Sequence, residues 1–555
     1  MDTVRFVLVI ALSLVGMMLW QAWQEDYPAP SNTQVSVKPV NEERPELPDS
    51  ALSLVEQTSE LAVAEKEIIT SQTPAVDTRS RSISVETDLF SAQINSQGGG
   101  IVKLELKQYP REASKPDEPF VLMDNSEELL YLVQGGLLSK QGSPTHENFY
   151  QFDSDKFVME AGQDTLSVPM TWHGNQGYLV TKTLVFERGS YLINITYEIT
   201  NNTGQTWQGR SYQQIKRKAP SDGRRLIYTY TGAVISSPEE RYEKIDFDDM
   251  QDQKVERDTA NGWIAMLQHY FVTALVPVNK EKSYRYYTNA LSNQRYIIGA
   301  ISPAIAIGPG ESALIEDQLY IGPKILEDLA QISDGLELTV DYGVLWFIAK
   351  PLFLVLDKLH DFTGNWGWSI ILVTIILKAI FFPLSAAGYK SMANMRRVQP
   401  RMMAIKDRYK DDKAKLNQAM MQIYKEEKIN PLGGCFPILV QIPVFIALYW
   451  VLLESVEMRQ ATFALWLQDL SSPDPYFVLP LVMGLTMFIQ QKLNPAPMDP
   501  VQEKVMSVLP IAFTIFFAFF PSGLVLYWVV NNILSIAQQW QITRSLERAG
   551  IKSKS

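Results

Sequence analysis

The chain has 555 residues, 46% of them hydrophobic, and a formal net charge of −11, and this length accommodates two or three domains. Residues 24–341 contain 28 basic and 46 acidic residues, whereas residues 342–555 contain 21 basic and 14 acidic residues among long apolar runs. The acidic segment argues against nucleic-acid binding there, and the basic segment favours contact with anionic lipid head groups. The single cysteine, Cys435, excludes an intramolecular disulfide.

The N-terminal apolar run from Val4 to Trp23 is long enough to cross a membrane. Trp20 and Trp23 are typical interface anchors, and no Ala-x-Ala cleavage motif follows them. Residues 1–23 are therefore predicted to form an uncleaved transmembrane anchor. Residues 24–80 are rich in Pro, Glu, Gln, Ser and Thr, which predicts a disordered linker.

Residues 81–341 show the alternating pattern of half-buried strands, clearest in 82–86, 101–106 and 191–199. The three glycines at 98–100 predict a turn. Many short strands over one long segment predict a large all-β sandwich. Its histidines are scattered and no catalytic motif is found, so His146-Glu147 is predicted to be a surface pair, and neither a metal nor a cofactor is expected.

The C-terminal half is predicted to be helical and embedded in a membrane. Residues 342–361 are apolar but interrupted by Lys350, Pro351 and Asp357, which favours an amphipathic helix at the membrane interface. A core at 362–543 contains five apolar runs with the length of a membrane span. The predicted spans are 366–388, 435–453, 476–493, 505–520 and 522–541.

The charges of the connecting loops predict the orientation. Residues 389–432 carry eleven basic and five acidic residues and the tail at 544–555 is basic, whereas the loop at 454–475 has one basic residue, Arg459. Basic loops stay on the cytoplasmic side. The fold class is thus a polytopic α-helical membrane protein with six spans, both termini in the cytoplasm and the β-domain outside.

Lys378 is the only charge in the apolar run from Trp366 to Ala387 and is predicted to lie near mid-depth. A charge there costs about 2.5–3.5 kcal/mol on insertion scales, which favours a side chain facing a polar cavity. A structural ion pair is the alternative. Polar residues at helical spacing predict the lining of this cavity, unless they only form ordinary hydrogen bonds between helices. They are Thr374 and Ser385 beside Lys378, Gln441, and Tyr527, Trp528, Asn531 and Ser535 on the last span.

The basic loop at 389–432 is predicted to be a hairpin of two helices, with a kink at Pro400 and a second helix that starts at Asp411-Asp412. Its methionines are suited to contact with varied partners, or else they only hold the two helices together. The candidate contact residues of the hairpin are Arg396, Arg397, Met402, Met403 and Tyr409.

Four sequence motifs resemble one known family. They are GNWG at 364–367, NPLGGCFP at 430–437, FALWL at 463–467 and FPSGLVLYW at 520–528. In their order and predicted topology they are similar to those of the YidC-type membrane protein insertases of the Gram-negative inner membrane. The resemblance extends over nearly the whole chain and is weakest in the linker at 24–80.

This resemblance implies a five-helix core whose groove opens to the cytoplasm and to lipid and is closed outside. It implies a mutarotase-like β-super-sandwich for 82–340, action alone or with the Sec translocon, and contact with ribosomes that deliver nascent membrane proteins. The groove cation of the family is usually arginine, and here it is Lys378. Lysine keeps the charge but lacks the planar fork that binds a carboxylate through two bonds. Trp528 stands where many members have tyrosine.

Three hypotheses of function follow. In the first, the groove inserts nascent membrane proteins, without covalent chemistry and without direct recognition of nucleic acid. In the second, a transporter or channel uses Lys378 as an anion site, although inverted repeats and a nucleotide-binding motif are not visible in the sequence. In the third, the outer β-domain is an anchored sugar-processing enzyme, which requires clustered acids or histidines in a pocket.

Overall fold

The computed structural model describes residues 80–174, 177–220, 229–409, 412–427, 436–494 and 500–552. The predicted anchor at 1–23, all but the last residue of the linker at 24–80, and residues 430–435 of the motif at 430–437 lie outside the described residues.

The first half of the described chain is a domain of two β-sheets followed by short helical segments. Its strands alternate buried and exposed side chains, the pattern of a strand with one face on a core. The strands are β1 (Ser82–Glu86), β2 (Phe90–Asn95), β3 (Ile101–Glu112), β4 (Lys115–Met123), β5 (Tyr131–Ser139), β6 (Lys156–Val158), β7 (Thr165–His173), β8 (Tyr178–Glu187), β9 (Leu192–Asn201), β10 (Trp207–Lys218), β11 (Gly232–Ser236), β12 (Glu243–Ile245), β13 (Glu256–Thr259), β14 (Trp263–Gln268), β15 (Phe271–Val276), β16 (Tyr284–Leu291), β17 (Arg295–Ile301), β18 (Ile305–Ile307) and β19 (Ser312–Pro323).

Within the described residues the strands form an eleven-stranded sheet and an eight-stranded sheet. The larger has the order β13-β16-β17-β10-β5-β3-β2-β1-β6, with β18 paired to β10 and β4 to β3. The smaller has the order β12-β11-β14-β15-β19-β9-β8-β7. Their buried faces share one apolar core that includes Trp207, Trp263 and Tyr197. The predicted all-β sandwich is confirmed.

The predicted strands at 82–86, 101–106 and 191–199 coincide with β1, β3 and β9 within a few residues. The predicted glycine turn is present, and Gly98 and Gly99 have φ values of +76° and +60°, which favour glycine. A Cβ atom on Gly98 would lie 2.5 Å from the carbonyl oxygen of His146. The prediction that His146 lies on the surface is wrong, because its ring contacts Tyr212 and the residue is only 6% exposed.

The rest of the described chain is helical. Two short helices, α1 and α2, belong to the β-domain, and α3 corresponds to the predicted interfacial helix. The helices are α1 (Phe247–Asp252), α2 (Leu326–Ile332), α3 (Trp346–Thr363), α4 (Trp366–Ile380), α5 (Phe382–Arg408), α6 (Lys413–Glu426), α7 (Phe436–Glu454), α8 (Val478–Leu493), α9 (Pro500–Phe517) and α10 (Ser522–Lys552).

The predicted span at 366–388 is not one straight helix. It is broken at Phe381, where α4 and α5 meet at an angle of 67°. Pro383 accounts for the break, because it has no N–H to donate to the carbonyl of Ala379 and its ring would clash with that carbonyl. Lys378 therefore lies in the last turn of α4 rather than in the middle of a long helix.

The same break changes the predicted hairpin. Its first helix does not begin near residue 390 but is the continuous α5, which starts at Phe382 and includes Pro400 in its interior. The chain changes direction at Phe381, and Pro400 lies within the helix that follows. The second helix, α6, begins after Asp412, whose side chain accepts a hydrogen bond from the Lys415 N–H, as expected of a cap.

Among the described helices, none alone combines the length and the apolar composition of a membrane span. The bent pair α4 and α5 meets both criteria together, and the segments Leu439–Glu454 and Val478–Leu493 are apolar but shorter.

Candidate functional site

Lys378 is buried, with only 5% of its surface exposed, although it carries an ammonium group. Its Nζ donates a hydrogen bond of 2.7 Å to Ser535 Oγ, which in turn donates to the Asn531 carbonyl at 2.7 Å. No carboxylate of the described residues lies within 4.0 Å of Lys378. The alternative of a structural ion pair is therefore not supported, and hydroxyl and carbonyl dipoles of α10 compensate part of the buried charge.

A cavity of about 430 Å³ lies beside this lysine, between α5, α7, α8, α9 and α10. Most of the predicted groove residues line it. They are Ser385, Gln441, Tyr527, Trp528, Asn531 and Ser535. Lys378 does not line the cavity itself but donates a hydrogen bond to Ser535, which does.

Thr374 is a correction to the predicted lining. Its side chain is buried, its Oγ1 donates to the Ile370 carbonyl at 2.6 Å, and it does not border the cavity. The prediction placed Thr374, Lys378 and Ser385 on one face of a single helix. Because the helix is broken at Phe381, Ser385 reaches the cavity from α5 while Thr374 packs inside α4.

Additional amides line the cavity toward the end of α8. Gln491 and Asn494 were not predicted, because polar residues at the end of an apolar run are the normal signature of a helix leaving a membrane. Their signal in the sequence is the density of amides around one helix end, in IQQKLN at 489–494. The additional polar lining residues are Gln490, Gln491, Asn494 and Asn532.

Aromatic rings form the apolar side of the cavity. The ring of Phe445 on α7 stacks on Tyr527 at 5.8 Å and meets Trp528 edge-on at 4.7 Å between centroids. Trp528 also packs on Phe517 of α9 at 4.8 Å. The cavity is thus lined both by amides and hydroxyls and by aromatic rings.

The loop between α7 and α8 is hydrogen-bonded to the N-terminal ends of α4 and α10. The Asn365 amide donates to the Phe463 carbonyl at 3.0 Å, which brings the predicted motifs at 364–367 and 463–467 into contact. The N–H groups of Ser522 and Gly523 donate to the carbonyls of Ser472 and Leu470. The motif at 520–528 is therefore bonded to the same loop.

The β-domain is attached to the last turn of α7 and the residues after it. Lys324 pairs with Glu454 at 3.1 Å, and a ring nitrogen of His269 lies 2.9 Å from the Leu453 carbonyl. Arg459 Nη2 donates to the Pro110 carbonyl at 2.7 Å. The apolar core is continuous across this junction.

The predicted hairpin residues divide into two groups. Met402 is buried against Val398 and Ile423 between the two helices, whereas Met403 is 53% exposed. The buried Met402 fits the interpretation that the methionines hold the two helices together, and the exposed Met403 fits the interpretation that they contact partners. Arg397 pairs with Glu427 at 3.0 Å and joins the two helices. Arg396 is exposed on α5, and Tyr409 follows its last residue.

The chemistry available in the groove is hydrogen bonding next to one positive charge. Among the described residues, no group of three or more His, Cys, Asp or Glu side chains is placed to hold a metal ion. Amides and hydroxyls that replace water let a polar group enter a low-dielectric region at a reduced cost.

Comparison with known proteins identifies the family. The family model described as the YidC periplasmic domain matches residues 82–355, and the model of the 60Kd inner membrane protein matches residues 358–549. The membrane protein insertase YidC of Thioalkalivibrio sulfidiphilus is 48% identical, with both chains covered in full, and that of Pseudomonas fluorescens is 46% identical over the same extent. An active YidC insertase crystal structure is 17% identical, with 87% of this chain and 98% of that chain covered, but its TM-score of 0.39 is too low to add to the argument. The two domain matches and the full-length relatives show that the chain belongs to the YidC family of inner-membrane protein insertases.

Proposed function

We propose that this protein inserts nascent membrane proteins into the bacterial inner membrane through the cavity beside Lys378, alone or together with the Sec translocon. The observation that carries the proposal is a buried ammonium group without a carboxylate partner among the described residues, bonded to a hydroxyl of a cavity wall. Family membership supports the same activity.

The polar wall explains how a short hydrophilic tail enters the groove. An acidic tail loses water when it leaves the cytoplasm, and the ammonium group of Lys378 and the side-chain amide of Asn531 replace part of that hydration. Tyr527 and Ser385 border the same space. The groove thus lowers the barrier for moving charge, and no covalent step is needed.

The apolar part of the inserting segment leaves along the aromatic wall. Phe445, Trp528 and Phe517 form a continuous surface from α7 to α9, and the outer face of α9 exposes Ile511 and Ile515. Transfer of the segment into lipid supplies the driving force, at about 25 cal/mol per Å² of apolar surface removed from water.

The proposed topology has six spans, with both termini, the hairpin and the basic tail in the cytoplasm. The loop charges support it. Helix α3 supports an interfacial position, because Ala349 and Leu356 are buried while Trp346 and Phe347 are exposed on the same helix. The loop between α7 and α8 then lies outside the membrane, on the same side as the β-domain.

The proposed partners are ribosomes, the Sec translocon and anionic lipids. The exposed side chains of Arg396 and Met403 on the hairpin support a cytoplasmic docking surface of mixed charge and apolar character. The excess of basic residues in 389–432 and 544–555 supports contact with anionic head groups. No specificity for nucleic acid is proposed.

The experiment is insertion of a small single-span substrate in cells whose only insertase is this protein, with Lys378→Ala compared with Lys378→Arg. The substrate carries either an acidic or an uncharged translocated tail. Lys378→Ala is expected to lower insertion of the acidic tail at least tenfold and Lys378→Arg to retain it. Lys492→Ala removes an exposed lysine at the end of α8 and is the charge-matched control.

Equal loss with both tails would overturn the role of the charge, and unchanged insertion with Lys378→Ala would show that the groove acts by hydration alone. Anion flux through reconstituted vesicles without protein substrate would instead favour the transporter hypothesis.

A further inference from the structure

The amides beside the end of α8 are arranged with a defined direction. Gln539 Nε2 donates to the Leu493 carbonyl at 3.1 Å and to Asn494 Oδ1 at 3.2 Å. A main-chain carbonyl only accepts, so the nitrogen of the Gln539 amide must face Leu493. Its oxygen, Gln539 Oε1, then accepts from Gln490 Nε2 at 2.7 Å.

This order fixes the orientation of Gln490. Because its Nε2 is committed to Gln539, its Oε1 must point the other way, and that oxygen is buried without a partner among the described residues. Gln491 Oε1 is also buried and unpartnered there. Both side chains line the cavity. Two amide oxygens thus remain unsatisfied at one end of the groove.

A second series of hydrogen bonds also ends at a main-chain carbonyl of α8. The Thr486 hydroxyl donates to the Met483 carbonyl at 2.7 Å, so Thr486 Oγ1 can only accept, and Asn532 Nδ2 donates to it at 3.1 Å. Acceptors on α8 thus bind the amide nitrogens of Gln539 and Asn532. The amides of Gln490 and Gln491 leave acceptors unsatisfied, whereas the donor Lys378 bonds to Ser535, about one helical turn before Gln539 on α10.

We propose that Gln490 and Gln491 form an acceptor subsite that binds N–H donors of the inserting chain, main-chain amides and lysine side chains, while Lys378 attracts acceptors and anions. This inference rests on the proposed function. Burial of an oxygen without a partner is unfavourable, so an N–H donor that binds at this place is stabilised by more than an exposed hydrogen bond provides. The groove then distinguishes tails that present hydrogen-bond donors, which bind at Gln490 and Gln491, from tails that present acceptors or negative charge, which Lys378 attracts.

The test compares two otherwise identical substrates, one with a lysine and one with an aspartate in the translocated tail, and the measured quantity is the ratio of their insertion yields. Gln491→Glu and Gln490→Glu place a charged acceptor at the subsite and are expected to raise the lysine-to-aspartate ratio at least threefold. Gln491→Leu removes the acceptor and is expected to lower the ratio at least threefold. Gln468→Leu removes an amide of the outer loop, where it bonds to the Leu465 carbonyl, and is the control.

Site-specific photo-crosslinking from position 491 provides a readout that does not depend on the yield. We expect crosslinks to the lysine-bearing tail in preference to the aspartate-bearing tail during insertion. Equal effects of the Glu and Leu variants on both tails, or equal crosslinking of both, would overturn the acceptor subsite and leave Gln490 and Gln491 as packing residues.

The two proposals fail in distinguishable ways. If the aspartate tail does not respond to Lys378→Ala but the lysine tail responds to Gln491→Glu, the role of Lys378 is wrong and the acceptor subsite stands. If the unmodified protein inserts neither substrate, the proposed function is overturned and the subsite with it.

Discussion

Lys324 Nζ lies 3.1 Å from Glu454 Oε2, and the two side chains are only 3% and 5% exposed. The lysine follows β19 of the β-domain and the glutamate is the last residue of α7, so a buried ion pair joins the outer domain to a helix that lines the groove. The carbonyl of the preceding Leu453 bonds to His269 of the same domain. The junction thus combines a buried ion pair with a hydrogen bond to the neighbouring main-chain carbonyl.

Removal of Lys324 is expected to destabilise this junction. Lys324→Met leaves the Glu454 carboxylate buried and unpaired, which costs about 3–5 kcal/mol. Hydrogen exchange of residues 450–458 in the full chain measures the effect as a loss of protection. The double variant Lys324→Met, Glu454→Gln is expected to recover most of it. Lys115→Met breaks the exposed pair with Glu118 and is expected to change stability by less than about 1 kcal/mol.

A methyl group at Gly367 is expected to separate the motifs at 364–367 and 463–467. A Cβ atom there would lie 2.0 Å from the Phe463 ring. Gly367→Ala should therefore lower the thermal unfolding temperature through overpacking of about 1–3 kcal/mol, and Phe463→Ala should relieve the clash in the double variant. Gly204→Ala adds the same methyl group in open space and is the control. An unaltered unfolding temperature for Gly367→Ala would contradict the observed contact.

Replacement of Pro383 tests the origin of the bend. Pro383→Ala restores an N–H that can bond to the Ala379 carbonyl, so the 67° angle between α4 and α5 should decrease. Spin labels on the exposed positions Ile376 and Met403 measure this as an increased distance. Pro400→Ala, inside α5, should leave the distance unchanged. A bend that persists without Pro383 would place its cause in the packing of α5 against α10.

Acid is expected to destabilise the β-domain through His146. Burial lowers the pKa of this imidazole to about 4, and its Nδ1 lies 2.7 Å from the Tyr212 hydroxyl. In the unfolded chain the imidazole of His146 has a pKa near 6.5, whereas in the folded β-domain its pKa is about 4. Protonation therefore favours the unfolded state, and the stability present above pH 6.5 is lost as the pH falls toward 4. Hydrogen exchange of residues 131–150 against pH measures the slope. His146→Gln is expected to flatten it, whereas a replacement of the exposed His173 should not.

The sequence predicted the parts of the structure that depend on local periodicity. Alternation over 82–86 and 101–106 identifies strands because one face of each is buried, and an isolated charge in an apolar run identifies Lys378 because it needs a polar neighbour. The pairing of Lys378 with Ser535 joins residues 157 positions apart, and no local pattern contains it.

The failures come from treating the run at 366–388 as one continuous helix. Pro383 is visible in the sequence, but a proline in the first turn of a new helix and a proline within a helix look alike without the neighbouring helices. The prediction that Thr374 and Ser385 share one helix face was therefore wrong. The prediction for His146 was wrong for a different reason, because its ring contacts Tyr212, a residue 66 positions away that no local pattern indicates.

Helix α5 connects the cavity to the hairpin. It has 27 residues, so at about 1.5 Å per residue it is a rod of about 40 Å. One end carries Ser385 in the cavity wall, and the other carries the exposed hairpin. The bend at Phe381 separates this rod from α4, which holds Lys378. The cavity wall at Ser385 and the first helix of the hairpin are thus parts of one continuous helix, whereas the buried lysine belongs to a separate helix across the bend.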